Sequence, residues 1–292
     1  MDKKRIKAEI FLVLVTIIWG GTFAIIKTGL EDSTPLMLLA VRFGAAFLIF
    51  SLLYFKKFKF NGKKTIINGI ILGIFMFIGY AAQTVGLAYT TASKAGFISF
   101  TFALFVPFLQ IWILKRKPFM GNVVGLIVVF AGIWIISKPT GGPFNVGDMI
   151  MLIAAVGYAF FIIFMDLINK KESPELMTSI QFLTTSLLSI IASFFLEEPK
   201  LNPTPSFLFS IAYLVILGSV FCLYMMNLYQ KDTSPMRAVL IYSLEPVFGV
   251  IFAIILLGES FSIREVSGAL LILGGVLLSE LWEIIGIGKR RT

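Results

Sequence analysis

The stretch Ala92-Ser93-Lys94-Ala95-Gly96-Phe97-Ile98-Ser99-Phe100-Thr101-Phe102-Ala103-Leu104-Phe105-Val106-Pro107 opens a long apolar run. A related start, Pro235-Met236-Arg237-Ala238, opens another run later in the chain. An offset of 143 residues sets Lys94 on Arg237, Ala95 on Ala238, Gly125 on Gly268 and Gly132 on Gly275. For the earlier part of each half the offset is 139, which sets Glu9 on Asp148, Pro35 on Pro174, Arg42 on Gln181 and Phe43 on Phe182. A short insertion in the second half accounts for the difference, so one unit of about 140 residues occurs twice.

The composition sets the solvent. Hydrophobic residues make up 58% of the chain and charged residues 14%, with 30 phenylalanines and a mean hydropathy of +0.94. A soluble core of this size does not absorb that much apolar surface, so the chain reads as an all-α membrane protein. Alternating strands of about ten residues are absent, which argues against a membrane barrel. The basic start from Lys3 to Lys7 leads into an apolar run with no small-residue cleavage pattern, so that run is expected to stay as an anchor. Cys222 is the single cysteine and there are no histidines. Both facts argue against a zinc or haem site and against histidine-based catalysis; no cofactor, metal or enzyme activity is expected.

Ten apolar runs can be read, at 10–29, 35–55, 66–89, 94–114, 119–136, 147–168, 175–196, 206–229, 235–257 and 264–282. Each is close to the roughly 20 residues that a spanning helix needs, and turn-formers such as Ser173-Pro174 and Ser234-Pro235 separate them. With a cytoplasmic N-terminus, lysine and arginine fall on that side four times in 3–7, five in 56–64, three in 115–117, twice at 170–171, once at 231 and three times at 289–291. That is 18, against four on the other side at Lys94, Lys138, Lys200 and Arg264. The asymmetry satisfies the positive-inside rule with both termini cytoplasmic, and it explains the net charge of +9 without nucleic acid. Five spans per unit is an odd number, so the second unit enters from the opposite side and the repeats are expected to be inverted.

The ordered motifs then carry a resemblance. They are Trp19-Gly20, Pro35 ahead of Arg42-Phe43, Ala92 to Phe97, Ser243-Leu244-Glu245-Pro246, Leu257-Gly258-Glu259, and Gly268 through Gly275. On these the chain resembles the EamA family of the drug/metabolite transporter superfamily, with a first EamA repeat at 9–137, a connecting outer loop at 138–147 and a second repeat at 148–282. The resemblance implies ten transmembrane helices and a central cavity formed largely by runs 1, 3, 4, 6, 8 and 9. It also implies import or export of small metabolites such as amino acids, with runs 5 and 10 away from the cavity. Ala103 falls opposite Pro246, and the first copy has its proline at Pro107, so the two halves need not bend at matching depths.

Glu245 lies about eleven residues into the ninth run, roughly 16 Å deep and near the midplane. An ionisable group there is costly unless it faces a cavity or a partner, so Glu245 is a candidate for proton coupling or for a substrate ammonium; the plainer alternative is a glutamate held by Tyr242 or Ser243. Lys94 and Arg237 begin the fourth and ninth runs, where a cation opposes the helix dipole. They read either as an anion site for a substrate carboxylate or as side chains snorkelling to headgroups. Arg42 reads mainly as a helix-bridging residue. Further cavity candidates are Trp19, Tyr80, Gln83, Tyr158, Tyr224, Asn227, Tyr242 and Ser243, polar or aromatic groups in otherwise apolar runs.

No phosphate-binding Gly-rich loop with Lys and Ser or Thr appears, so transport is expected to run on a gradient or by exchange. The expected function is a secondary transporter of a small polar or zwitterionic metabolite in the cytoplasmic membrane, as monomer or homodimer, in contact with lipids and with protons as a coupling ion. A lipid flippase of the same fold stays open, and a polytopic membrane enzyme or a channel is disfavoured.

Overall fold

A computed structural model describes residues 3–60, 62–90, 92–137, 144–170, 172–257 and 263–284. They form fourteen α-helices: α1 Lys3–Gly20, α2 Thr22–Asp32, α3 Pro35–Tyr54, α4 Lys63–Tyr89, α5 Ala92–Phe100, α6 Phe102–Trp112, α7 Met120–Ser137, α8 Val146–Ile168, α9 Pro174–Leu196, α10 Pro205–Val215, α11 Cys222–Tyr229, α12 Pro235–Tyr242, α13 Glu245–Leu257 and α14 Ile263–Ile284. A π-helical turn, Ile216–Phe221, joins α10 to α11.

The starts follow from local chemistry. Prolines open α3, α9, α10 and α12, where the missing N–H is no loss. Thr204 and Ser234 accept from Phe207 N and Arg237 N and cap α10 and α12. The α3 start is capped from a distance, since the Glu197 carboxylate accepts from Leu36 N at 3.2 Å and Met37 N at 3.0 Å.

The expectation of ten transmembrane helices in two five-helix repeats is corrected here. Among the described residues six helices are long and apolar enough to cross a membrane: Pro35–Lys57, Lys63–Tyr89, Ala95–Trp112, Val146–Ile168, Pro174–Leu196 and Pro205–Asp232. The bent pair Lys3–Gly20 and Thr22–Asp32 makes seven if it is one span. The physical reason is continuity. Hydropathy registers apolar composition whether or not the helix is broken, and the run from 235 divides at Ser243-Leu244 into helices of 8 and 13 residues. Met120–Ile136 and Val266–Ser279 are apolar but shorter than a span. The chain remains an all-α, multi-pass membrane protein, and its outer faces carry exposed Leu52, Leu53, Phe194 and Phe195 as a lipid-facing surface does.

Small residues let the helices meet. A Cβ on Gly157 of α8 would lie 2.8 Å from Gly79 N of α4, and one on Gly20 of α1 would lie 2.9 Å from Gly249 N of α13. The α7–α14 crossing is closer still: Gly125 meets the Gly275 carbonyl and Gly132 meets that of Gly268. The order along the two helices is reversed, so they run antiparallel. Phe43, Phe50 and Phe182 fill the centre between α3 and α9.

The interruptions are not scattered. The α5–α6 break falls at Thr101 and the α12–α13 break at Ser243-Leu244, and Thr101 and Leu244 are 143 residues apart. The two runs therefore break at matching positions despite their differently placed prolines. Irregular backbone at membrane depth is tolerated where it lines a cavity, and both breaks do so.

Candidate functional site

A cavity of about 440 Å³ lies among the broken segments, within the size range of small-molecule sites. Its wall takes Trp19 and Gly20 from the α1 end, Thr22 and Phe23 from α2, Arg42 from α3, and Tyr80 and Gln83 from α4. Ser99, Phe100 and Phe102 come from the α5–α6 break, Tyr158 and Phe161 from α8, and Tyr242, Glu245 and Gly249 from the α12–α13 break.

Most of the polar wall is tied into place. Tyr158 Oη donates to Gln83 Oε1 at 2.9 Å, and Gln83 Nε2 donates to Ser99 Oγ at 3.3 Å. The Tyr80 ring stands edge-on to Tyr158, centroids 5.4 Å apart. Tyr242 Oη donates to Gln230 Oε1 at 3.0 Å, and Gln230 in turn donates to the Ile162 carbonyl at 3.0 Å. Trp19 Nε1 donates to the Gly218 carbonyl at 3.1 Å, and its ring lies 5.8 Å from that of Tyr242. These contacts fix a rigid aromatic and amide lining with its hydrogen-bonding capacity largely used.

Two charged groups share this wall. Glu245 begins α13, where the positive end of the helix dipole favours a carboxylate. Among the described residues it has no hydrogen bond or ion pair, and it is partly exposed to the cavity. Arg42 is 1% exposed. Its Nε donates to Ser219 Oγ at 2.7 Å and its Nη2 to the Gly218 carbonyl at 3.4 Å. The guanidinium lies over the Phe43 and Tyr80 rings, 5.1 and 5.0 Å from their centroids.

The expected site residues thus divide. Trp19, Tyr80, Gln83, Tyr158, Tyr242 and Glu245 come together on one cavity. Arg237 does not join them: its Nε pairs with Glu9 Oε1 at 2.8 Å, with both side chains mostly buried. Asn227 is used up in an amide cluster, accepting from Asn169 at 2.8 Å and Gln181 at 3.0 Å and donating to Gln181 and to the Leu223 carbonyl. Ser243 turns back to the Leu240 carbonyl. Tyr224 donates to Glu175 at 3.1 Å within a ring cluster with Phe50 and Tyr54. The Lys94 side chain lies outside the described residues.

Arg42, expected mainly as a bridge between helices, bonds to the α10–α11 connection and also lines the cavity. The signal that could have shown this is a permanently charged side chain partway along an apolar run. Ser99 and the Gly218 carbonyl carried no signal, since a serine in an apolar run and a backbone oxygen have none. Ile136 of α7 also reaches the wall, although the resemblance placed the fifth run away from it. No group of three or more His, Cys, Asp or Glu is placed to hold a metal ion among the described residues.

Comparison with known proteins places this geometry. The chain matches the EamA-like transporter family over residues 6–138 and 145–281. It is 31% identical over 284 residues to an uncharacterized transporter of Archaeoglobus fulgidus, covering 95% of this chain and 87% of the relative. It is 26% identical over 260 residues to the uncharacterized inner membrane transporter YedA of Escherichia coli, covering 86% of this chain and 83% of that one. A solved crystal structure superposes with a TM-score of 0.81 at 17% identity, covering 97% of this chain and 99% of the other, so the fold is shared. The chain belongs to the EamA-like transporter family, whose members carry small molecules across membranes and are not enzymes.

Proposed function

We propose that this transporter moves a small polar or zwitterionic metabolite, an amino acid or a related compound, across the cytoplasmic membrane by gradient coupling or exchange. The observation that carries the reading is the carboxylate of Glu245, unpaired among the described residues, on a cavity of about 440 Å³ whose wall also holds Arg42, the tethered Gln83 and a set of aromatic and aliphatic side chains. An apolar solute leaves such a group unsatisfied, whereas an ammonium or a proton satisfies it.

Alternating access fits two inverted repeats, 9–137 and 148–282, joined by 138–147. Phe43 and Phe182 occupy matching positions in the two copies and touch each other, ring centroids 6.0 Å apart. The glycine contacts of α7 and α14 are reciprocal instead: Gly125 meets Gly275, the counterpart of Gly132, and Gly132 meets Gly268, the counterpart of Gly125. Self-paired and reciprocal contacts are both what a twofold relation between antiparallel halves produces. The 18-to-4 distribution of basic residues supports cytoplasmic termini.

Counterflow in proteoliposomes with a metabolite panel at two pH gradients tests the reading. The wild type is expected to exchange an amino-acid-like solute and to accumulate it when the gradient is imposed. Glu245→Gln is expected to lose the gradient-driven component. Equal pH-driven accumulation in both proteins removes Glu245 as the coupling group.

A further inference from the structure

Arg42 poses a physical problem that the fold does not solve by itself. Its guanidinium is permanently charged and 1% exposed. Its partners are a serine hydroxyl at 2.7 Å, a backbone carbonyl at a long 3.4 Å and two aromatic faces. Among the described residues no acidic side chain pairs with it, and Nη1 is buried with no hydrogen-bond partner. A buried charge without a counter-ion is among the most expensive features a protein can hold, and one remaining unsatisfied donor adds to the cost. Gln181, which matches Arg42 by sequence offset, is by contrast fully engaged with Asn227.

We propose that Arg42 is the carboxylate-binding residue of the transport cavity. The assignment rests on the zwitterion reading above and names the group that takes the negative end, with Glu245 on the same wall taking the positive one. Nε keeps its short bond to Ser219. The long contact from Nη2 to Gly218 is given up, and Nη1 and Nη2 together present the planar two-pronged donor that matches a carboxylate. Because Arg42 and Glu245 form no ion pair with each other, neither charge must be freed before substrate enters. Lys94 and Arg237 are then not required for the anionic end.

The test is competition in counterflow, with L-amino acids set against their carboxamides and against the decarboxylated amines. In wild-type proteoliposomes the amino acid is expected to compete on the order of 10- to 100-fold better than its carboxamide. Arg42→Gln is expected to bring that ratio close to one, and Arg42→Lys to leave an intermediate value. The ratio is internal to each protein, so the amount of folded material cancels. Should Arg42→Gln fail to elute as a folded species, Ser219→Ala, which removes the Nε anchor, is expected to lower the ratio several-fold, and an unchanged ratio there overturns the assignment. A wild type that prefers carboxylates and an Arg42→Gln protein with the same preference overturn the role of Arg42 alone. A wild type that exchanges only solutes lacking a carboxylate overturns both this role and the zwitterion reading.

Discussion

Trp19 and Arg42 donate to one acceptor, the carbonyl of Gly218, at 3.1 and 3.4 Å. That oxygen sits in the π-helical turn Ile216–Phe221, a local departure from the α-helical register of the kind that recurs at functional sites. The same turn presents Ser219 Oγ to Arg42 Nε. One irregular turn therefore holds two cavity side chains from two other helices, and it connects helix geometry to site geometry. Ser219→Ala strips a buried guanidinium of its shortest hydrogen bond, which costs about 1.5–3 kcal/mol. Ser219→Thr keeps the hydroxyl and is expected to lose much less. Cys222 is the single cysteine and is buried, so a thiol-reactive dye in detergent reads the loss as a lower melting temperature for the alanine variant.

The α7–α14 crossing predicts a contrast between adjacent glycines. A Cβ at Gly275 would meet the Gly125 carbonyl at 2.7 Å and the Val129 side chain and backbone at 2.8 and 2.9 Å, while at Gly274 nothing lies within 4 Å. Backbone cannot retreat as a side-chain tip can, so Gly275→Val forces the helices apart at an overpacking cost of about 1–3 kcal/mol. Gly274→Val is expected to melt close to the wild type in the same dye assay. Similar losses in both would mean that the two helices do not cross as described.

The helix starts at Pro174 and Pro235 and six of the cavity residues are legible in the sequence because each depends on local composition or on mid-run polarity. Trp19, Gln83 and Glu245 stand out against apolar neighbours wherever the helices end up. The span count was not legible, because nothing in hydropathy distinguishes a continuous helix from the broken pair of α12 and α13. Partners are not legible either: the acceptors of Arg42 are 176 and 177 residues away, and a polar Asn227 in an apolar run does not show that Gln181 and Asn169 consume it.

Arg237 shows the same limit and yields a prediction. Its dipole-opposing position at the start of α12 suggested an anion site, but its Nε lies 2.8 Å from Glu9, which also sits 3.6 Å from Arg5. Arg237→Ala removes the nearest cation from a largely buried carboxylate that keeps Thr233 and Arg5 close by, at about 1–3 kcal/mol of stability. Glu9→Gln in the same background is expected to recover part of the loss. Competition ratios between amino acids and their amides are expected to match the wild type in Arg237→Ala, whereas a collapse of that ratio would return Arg237 to the substrate path.

The pair Tyr158 and Gln83 carries the last prediction, which separates a binding effect from a folding one. Tyr158 Oη fixes the Gln83 carbonyl at 2.9 Å, and Gln83 Nε2 reaches Ser99 beside the α5–α6 break. The tether therefore spans α8, α4 and α5 across the cavity wall. Tyr158→Phe keeps the ring, its edge-on contact with Tyr80 and its packing on Gly79, and removes one neutral hydrogen bond worth about 1 kcal/mol. Gln83 faces the cavity, where solvent or solute can satisfy the freed carbonyl, so the melting temperature should change little. The amide is no longer held in one orientation, and a solute that relies on it should bind several-fold more weakly, seen as a raised KM for counterflow with the maximal rate near that of the wild type. Gln83→Ala is expected to show the same KM shift, and the double variant no more than the larger single effect, because both substitutions cut the same tether. Additive losses in the double variant would mean that the two side chains act on the solute independently.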